Sequence, residues 1–373
     1  SPELRDRLYL NYNFKLIKSN QILPAGLFES SSVVKNYDYD NDGDQDLFVG
    51  TRLVPQKYGM PSNGYILNND GKGNFTNVSN LIAPELNKIG MITDAEWTDY
   101  DMDGDIDIIL VGHWMPITLF ENIDGSYKIK DVKSFDKTNG WWNALHVEDL
   151  NLDGYDDLII GNHGTNSRFS ASESKPISMY INDFDDNNSI EQIIFQYNGD
   201  SAYTMALRHD LVMQMPTLKK KYLKYNSYKN QTVNDIFSNK KINSSLRNNI
   251  YELNTLIFIN DSAKFNKINT PIETQFSTVH AIHVDDYNGD GFKDIIMGGN
   301  LYDVKPEVGR YDANYGLILL GNKKKNFIKV PNSKSGILFK GQVRDIINIR
   351  NKLNSNLLFV LNNNDTLQSY VYN

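Results

Sequence analysis

Short acidic stretches recur along this chain, and their side chains are the ones best spaced to do chemistry. The first is Asp38-Tyr39-Asp40-Asn41-Asp42-Gly43-Asp44-Gln45-Asp46. Carboxylates stand at its first, third, fifth and ninth positions, with Gly43 at the sixth. Alternate side chains of a tight loop converge on one centre, and glycine permits a turn that would strain other residues. Hard oxygen donors gathered in this way suit Ca²⁺. The spacing returns at Asp99, Asp101, Asp103, Asp105 and Asp107 around Gly104. It returns again at Asp149, Asn151, Asp153, Tyr155 and Asp157 around Gly154, and at Asp286, Asn288, Asp290, Phe292 and Asp294 around Gly291. One structural Ca²⁺ per loop is expected, about four in all. In the first loop Asp38, Asp40, Asp42 and Asp46 are expected to bind through their side chains. Asp44 is expected to offer its carbonyl and leave its carboxylate in solvent, and position seven of the other loops completes each set.

An EF-hand begins the same way but needs a bidentate Glu at position twelve and flanking helices. Position twelve here is Val49, Leu110, Ile160 or Met297. Each loop runs directly into a short apolar stretch ending in glycine (Gly50, Gly112, Gly161, Gly298), the pattern of a buried strand. Each loop therefore joins two strands. The same carboxylates without a cation would repel one another.

The surrounding elements repeat as well. Gly64–Val78 reads as two strands about Asp70-Gly71 and Lys72-Gly73, which is hairpin chemistry. Ile117–Ile129 and Gly316–Val330 carry the same paired pattern, and so does Leu8–Lys18 at the start of the chain. The unit is four strands, with the acidic loop between the first and second. The first three loops follow one another at about 50–60 residues, which predicts an all-β propeller of four-stranded antiparallel blades. The interval from Asp149 to Asp286 is more than twice as long. It is read as a blade without a metal loop, its first strand near Tyr203–Arg208, carrying a helical insertion over 211–249. A last unit at Val343–Ile349 and Leu357–Asn363, turning through Arg350–Asn354, has lost its acidic loop and closes on Gln368–Tyr372. Six first-and-second strand pairs are counted. The pair at Leu8–Lys18 raises the expected ring to seven blades, or leaves six if it completes the last one. The whole of 1–373 is read as one propeller domain belonging to a longer chain, since it opens in the middle of the pattern.

Composition narrows the function. The formal net charge is −8 with a pI near 5.3. Four divalent cations would offset that charge, so the acidity is local to the loops. No basic stripe is present, which argues against nucleic acid as a partner. The chain has no cysteine to report a redox compartment. Loops of this modest charge work best where Ca²⁺ is plentiful, outside the cell or in a periplasm. No apolar run is long enough to span a membrane as a helix, and no signal peptide is visible at Ser1.

The four D-x-[DN]-x-[DN]-G-x-x-D-[LI] loops resemble the FG-GAP/VCBS repeats of integrin α-like propellers. Val54–Gly59, Gly90–Asp99, Gly299–Asp303 and Gly309–Gly316 extend the likeness to the C-terminal propeller of large VCBS-repeat proteins of Bacteroidetes, the ASPIC/UnbV and cartilage-acidic-protein group. The resemblance covers nearly the whole chain. It implies an exported, often surface-attached protein of a Gram-negative bacterium. Such proteins are frequently linked to outer-membrane nutrient uptake, with transporter or lipoprotein components as expected partners. It implies no set ligand and no catalytic activity.

With the metal loops at one end of the blades, the loops from second to third strand gather at the other. That end would collect Arg52, Tyr58, His113, Trp114, Asn162, His163, Asn300 and Arg310 after second strands, and Trp141, Trp142 and His280 before first strands. Aromatics with Asn, His and Arg suit stacking and hydrogen bonding to a glycan or a partner protein. Trp97, Trp141 and Trp142 also suit packing between blades, Arg52 and Arg310 suit pairing with local acids, and His146 and His283, inside first strands, read as structural. The alternative is a polysaccharide lyase drawing on His113, His163, Arg208, His209, Arg310 and Tyr311, but no spacing among these singles out a catalytic set.

Overall fold

The computed structural model describes residues 5–23, 29–323, 325–350 and 356–372. It opens with a hairpin, β1 (Tyr9–Tyr12) and β2 (Lys15–Lys18), turned by Asn13 and Phe14 at φ 50° and 66°. The first blade is β3 (Ser30–Tyr37), β4 (Asp46–Leu53), β5 (Gly64–Asn69) and β6 (Phe75–Asn77), followed by a short α1 (Ser79–Ile82). The second is β7 (Met91–Thr98), β8 (Asp107–His113), β9 (Thr118–Ile123) and β10 (Ser126–Lys130). The third begins with β11 (Ala144–Glu148) and β12 (Asp157–Gly161) and is then interrupted. Strands β13 (Ile177–Asn182), β14 (Glu191–Asn198), β15 (Ser201–Thr204) and β16 (Leu246–Ile250) form a separate sheet in the order β15-β14-β13-β16. Only then do β17 (Leu256–Asn260) and β18 (Phe265–Ile268) complete the third blade, with Leu158 opposite Phe258. The fourth blade is β19 (Val279–Asp285), β20 (Asp294–Gly299), β21 (Leu317–Leu320) and β22 (Ile328–Val330). A three-stranded fifth is β23 (Val343–Arg350), β24 (Asn356–Asn362) and β25 (Gln368–Tyr372).

The first strands of these five blades, β3, β7, β11, β19 and β23, all line one central channel. Alternation along the second strands serves two cores at once. In β8, Ile109 and Val111 pack with Leu145, Leu158, Ile160 and Phe258 of the third blade, while Ile108 and Leu110 pack with Phe48 and Ile66 of the first. Being covered on both faces is why these strands read as unbroken apolar runs. Each fully buried Leu or Ile contributes about 1.5–3 kcal/mol. Trp97 sits between the first two blades against Tyr39, Phe48 and Tyr127. Two of the glycines that end the second strands are demanded by the neighbouring blade. A Cβ on Gly161 would lie 2.7 Å from the Val279 carbonyl oxygen, and one on Gly298 would lie 2.6 Å from Val343 Cγ1.

One expectation is corrected, and the helical insertion expected over 211–249 is present as part of a larger one. The long interval holds no further blade: Ser201–Thr204 is the edge strand of the inserted sheet, and Leu256–Phe265 belongs to the third blade. Strand pairs of the ring therefore number five rather than six among the described residues. The β1–β2 hairpin pairs only with itself among those residues, and leans on the first blade through Gln21, whose amide brackets Gly73 O and Phe75 N. The insertion spans 162–255, and its short helices α2 (Arg208–Gln214), α3 (Val233–Ile236) and α4 (Asn239–Asn243) lie between β15 and β16. These helices and the turns joining them cover one face of the inserted sheet with Leu211, Met215, Tyr222, Tyr228 and Ile236 against Tyr180, Ile193 and Phe195. The other face seats Ile177, Met179 and Ile181 on Met91 and Trp114 of the second blade. Most of the turn at Arg350–Asn354 lies outside the described residues.

Candidate functional site

The four acidic loops share one construction. The carboxylate at position one folds back on the loop: Asp38 Oδ1 and Oδ2 accept from the N–H groups of Asp42 and Gly43 at 3.1 and 3.0 Å. Asp99 does the same for Asp103 and Gly104, Asp149 for Asp153 and Gly154, and Asp286 for Asp290 and Gly291. The position-five carboxylate accepts from the N–H of position seven, as Asp42 does from Asp44 and Asp290 from Phe292. Position nine is the first residue of the second strand and is buried. Asp46 takes the N–H of Tyr39 and of Asn69, and Asp157 takes those of Leu150 and Asn260. Asp294 takes those of Tyr287 and Gly321, and Asp107 takes that of Asn122. This residue clips each loop to the end of the third strand.

The residues fit a hard cation. Asp44 Oδ1, Asp101 Oδ1, Asp107 Oδ2 and Asn151 Oδ1 are withdrawn from solvent without a hydrogen-bond partner. Unused lone pairs of this kind are costly to bury. Burial pushes the Asp46 carboxyl up to about 6 and those of Asp107 and Asp157 up to about 7, with neighbouring carboxylates adding to the rise. A divalent ion would reverse that balance. Asp38, Asp40 and Asp42 form one group able to hold a metal ion, and Asp99, Asp101 and Asp107 another. The third and fourth loops present Asn151 and Asn288 where the others have Asp, so an amide oxygen replaces one carboxylate. The Asp44 side chain, expected in solvent, is half-buried with one oxygen enclosed.

A fifth loop escaped the sequence reading. Asp183, Asp185 and Glu191 form a third group able to hold a metal, between β13 and β14 of the inserted sheet. Asp183 accepts from Asn187 N and Asn188 N at 3.0 and 2.9 Å, Asn187 Oδ1 accepts from Ser189 N, and Glu191 accepts from Phe184 N. These are the bonds of the other four loops. The motif was hidden because Asn188, at φ 65°, replaces the glycine and Glu191 replaces the ninth Asp. Asn tolerates the left-handed region better than most residues.

At the opposite end of the channel lies a cavity of about 850 Å³. Of the residues proposed from sequence, Arg52, Tyr58, His113, Trp141, His163, His280 and Tyr311 line it. Trp114, Trp142, Asn162 and Asn300 do not, because all four are buried and turn elsewhere. Trp142 donates Nε1–H to Thr138 O at 3.0 Å inside the second-to-third blade core. Asn162 and Asn300 tie strand ends through backbone contacts with Trp141, His163, Glu252 and Asn254, and with Asn314 and Gly341. Trp114 donates to the Tyr58 hydroxyl. Arg310 lies over the Tyr302 ring. Of the lyase candidates, Arg208 and His209 sit on α2, bonded to Tyr222 O, Leu223 O and the Tyr225 hydroxyl. His146 and His283 line the channel deeper down.

Residues with no motif complete the cavity: Thr93, Asn143, Arg168, Phe169, Thr278 and Arg344. Arg168 and Phe169 lie in the irregular segment that opens the insertion, between β12 and β13. His113 is held at both ring nitrogens, by the Tyr58 hydroxyl at 3.2 Å and Asn143 Oδ1 at 3.4 Å. Burial, aided by Arg52, lowers its pKa to about 3; burial lowers that of His163 to about 4, and burial with Arg344 lowers that of His280 well below the usual range. All three rings are neutral at pH 7.

Residues 38–110 and 99–160 match the FG-GAP-like repeat. Each matched stretch runs from a metal loop to the second strand of the following blade, so an FG-GAP-like repeat straddles two blades here. Among solved structures, the V. cholerae biofilm matrix protein Bap1 is similar over 94% of this chain and 68% of its own, at 8% identity and a TM-score of 0.33. No curated protein matches the chain. Among the described residues no helix is long and apolar enough to cross a membrane.

Proposed function

We propose that this chain is a calcium-stabilised propeller that works as a binding module, holding a glycan or a partner protein in the cavity opposite its metal loops. The observation that carries this reading is the cavity itself. Aromatic rings and polar groups from all five blades and the insertion converge there, and several of those polar groups have no hydrogen-bond partner among the described residues. Calcium fills the four acidic loops and the fifth loop of the insertion, fixing the blades that shape the cavity rather than meeting the ligand. The resemblance to the ASPIC/UnbV group supports an exported, surface-attached setting beside outer-membrane uptake components. Glycan-array binding, repeated after chelation, tests the proposal. Selective binding that weakens as EDTA lowers the melting temperature is expected. A blank array together with an EDTA-insensitive melt would refute it.

Lyase chemistry is the second reading, favoured by the unpartnered His163 Nε2 and Tyr311 hydroxyl, whose rings lie 4.8 Å apart. A general base works best with a pKa near the operating pH, and burial carries His163 away from it. Unsaturated product from a panel of acidic polysaccharides would establish that reading instead.

A further inference from the structure

The cavity is cationic in a chain whose net charge is −8. Arg52, Arg168, Lys305 and Arg344 line it, and among the described residues no Asp or Glu does. Lys305 is engaged by Asp210 of α2 at 2.6 Å. The three arginines are not so engaged: among the described residues none has a carboxylate within ion-pair reach. Arg344 is half-buried and held by neutral acceptors only, donating to Asn300 O at 3.1 Å, Val343 O at 2.8 Å and Gln342 Oε1 at 3.1 Å. Asp303 is the one acid whose charge it feels. A guanidinium fixed in place without a counter-charge is a ready anion site.

Neutral groups of the same cavity also want a partner. Among the described residues Thr278 Oγ1 and His163 Nε2, of residues only 1% and 8% exposed, have no hydrogen bond, and His280 Nε2 and the Tyr311 hydroxyl are likewise enclosed and unpaired. Buried polar atoms are seldom left so unless a ligand or water completes them. The two kinds of group come from different sides of the ring. Arg52 on β4 and Arg344 on β23 belong to the first and fifth blades. Trp141, His163 and Phe169 come from the third blade and the start of its insertion, packed edge to face at 4.8 to 5.5 Å.

Resting on the reading of this cavity as a ligand site, we infer that its ligand is an acidic saccharide. The sugar ring packs on the Trp141–Phe169–Tyr311 side. Its carboxylate or sulfate is held by Arg344 and Arg52, with Thr278 and His280 completing the hydrogen bonds. An acidic peptide would satisfy the arginines but brings no flat face for the aromatic side. A neutral sugar would leave the arginines unpaired.

Calorimetric titration of the whole chain in excess Ca²⁺ tests this with four probes: an oligogalacturonate, a sulfated chondroitin oligosaccharide, a neutral cello-oligosaccharide of matched length, and poly-glutamate. Binding of one or both acidic saccharides is expected, and which one identifies the anion as carboxylate or sulfate. R344Q should weaken that binding about ten- to hundred-fold, the loss of charge-assisted hydrogen bonds. R52Q, on an exposed side chain, repeats the test if R344Q melts early. Neutral oligosaccharide binding that R344Q leaves unchanged would overturn the acidic assignment while keeping the cavity a glycan site. Poly-glutamate binding as tightly as the acidic saccharides would overturn the saccharide. Silence from all four probes would overturn both the inference and the reading beneath it.

Discussion

Replacing Gly161 by Ala should destabilise the ring at the seam between the third and fourth blades. The glycine is not required for its backbone angles; it is required because another chain segment occupies the space. An added Cβ would lie 2.7 Å from the Val279 carbonyl oxygen, 2.9 Å from Val279 Cγ1 and 3.1 Å from Val279 Cβ. Backbone cannot rotate out of the way, so β19 must move off by roughly half an ångström. That shift loads the bond from Val279 N–H to Asn162 O, 3.0 Å long, which joins the two blades directly. Overpacking costs about 1–3 kcal/mol and the weakened hydrogen bond adds about 0.5–1.5 kcal/mol, so a loss of about 2–3 kcal/mol is expected. With a urea m-value of about 3 kcal/mol/M, the midpoint falls by about 0.7–1 M. Gly50→Ala is the internal comparison. Its Cβ would meet side-chain methyls, Ile92 Cγ2 at 2.6 Å and Val33 Cγ1 at 2.7 Å, which can give way. It should cost less. Urea unfolding of both variants in excess Ca²⁺ decides the matter. A Gly161→Ala midpoint within about 0.2 M of the parent, or a larger loss for Gly50→Ala, would refute the argument that the blade seam dictates this glycine.

Calcium titration of the chelated protein should report five sites, and Asp183→Ala should remove one of them; a count of four unchanged by that substitution would mean the inserted loop is only an acidic turn. Acid should destabilise the fold early. His113 titrates near 3 and His146 and His163 near 4 in the folded chain, against about 6.5 unfolded. Protons then bind the unfolded chain first, so this stability is intact above pH 6.5 and is lost as pH falls towards 4, on the order of 2 kcal/mol per histidine at pH 5. A urea midpoint in excess Ca²⁺ that stays flat from pH 7 to 5 would contradict it. Trp142→Phe strands Thr138 O and leaves a void in a fully buried site, and should cost about 2–4 kcal/mol by the same unfolding assay.

The loops and strands were legible because both are local. Asp38 to Asp46 carries its own geometry in its spacing, and the apolar run from Leu47 to Gly50 declares a strand covered on both faces. Pairing was not legible where it is remote. Leu256–Asn260 has the same composition whether it follows its own second strand or a new blade, and nothing in those residues says that Leu158 is the partner of Phe258. The fifth loop was lost to two substitutions, Asn188 for glycine and Glu191 for Asp, that keep the geometry while breaking the motif. The cavity was half legible. His113, Trp141 and His163 follow or precede strands that repeat, whereas Thr278 and Arg344 lie in stretches without a signature, and only closure of the blades around the channel brings them in.

The interruption of the third blade also bears on how the chain is made and remade. Gly161 and Leu256 end and begin strands that lie side by side in one sheet, so the 162–255 segment leaves and re-enters within about one strand spacing, ~5 Å. A detour that closes on itself imposes only a slowly growing entropic penalty on the ring, however long it is. The blade nevertheless cannot finish until the detour has been synthesised and its two ends held together, which delays that blade behind its neighbours as the chain emerges. The same closeness of ends makes the segment exchangeable. A short turn bridging Gly161 to Leu256 would leave the ring standing, stripped of the wall that Arg168 and Phe169 give the cavity.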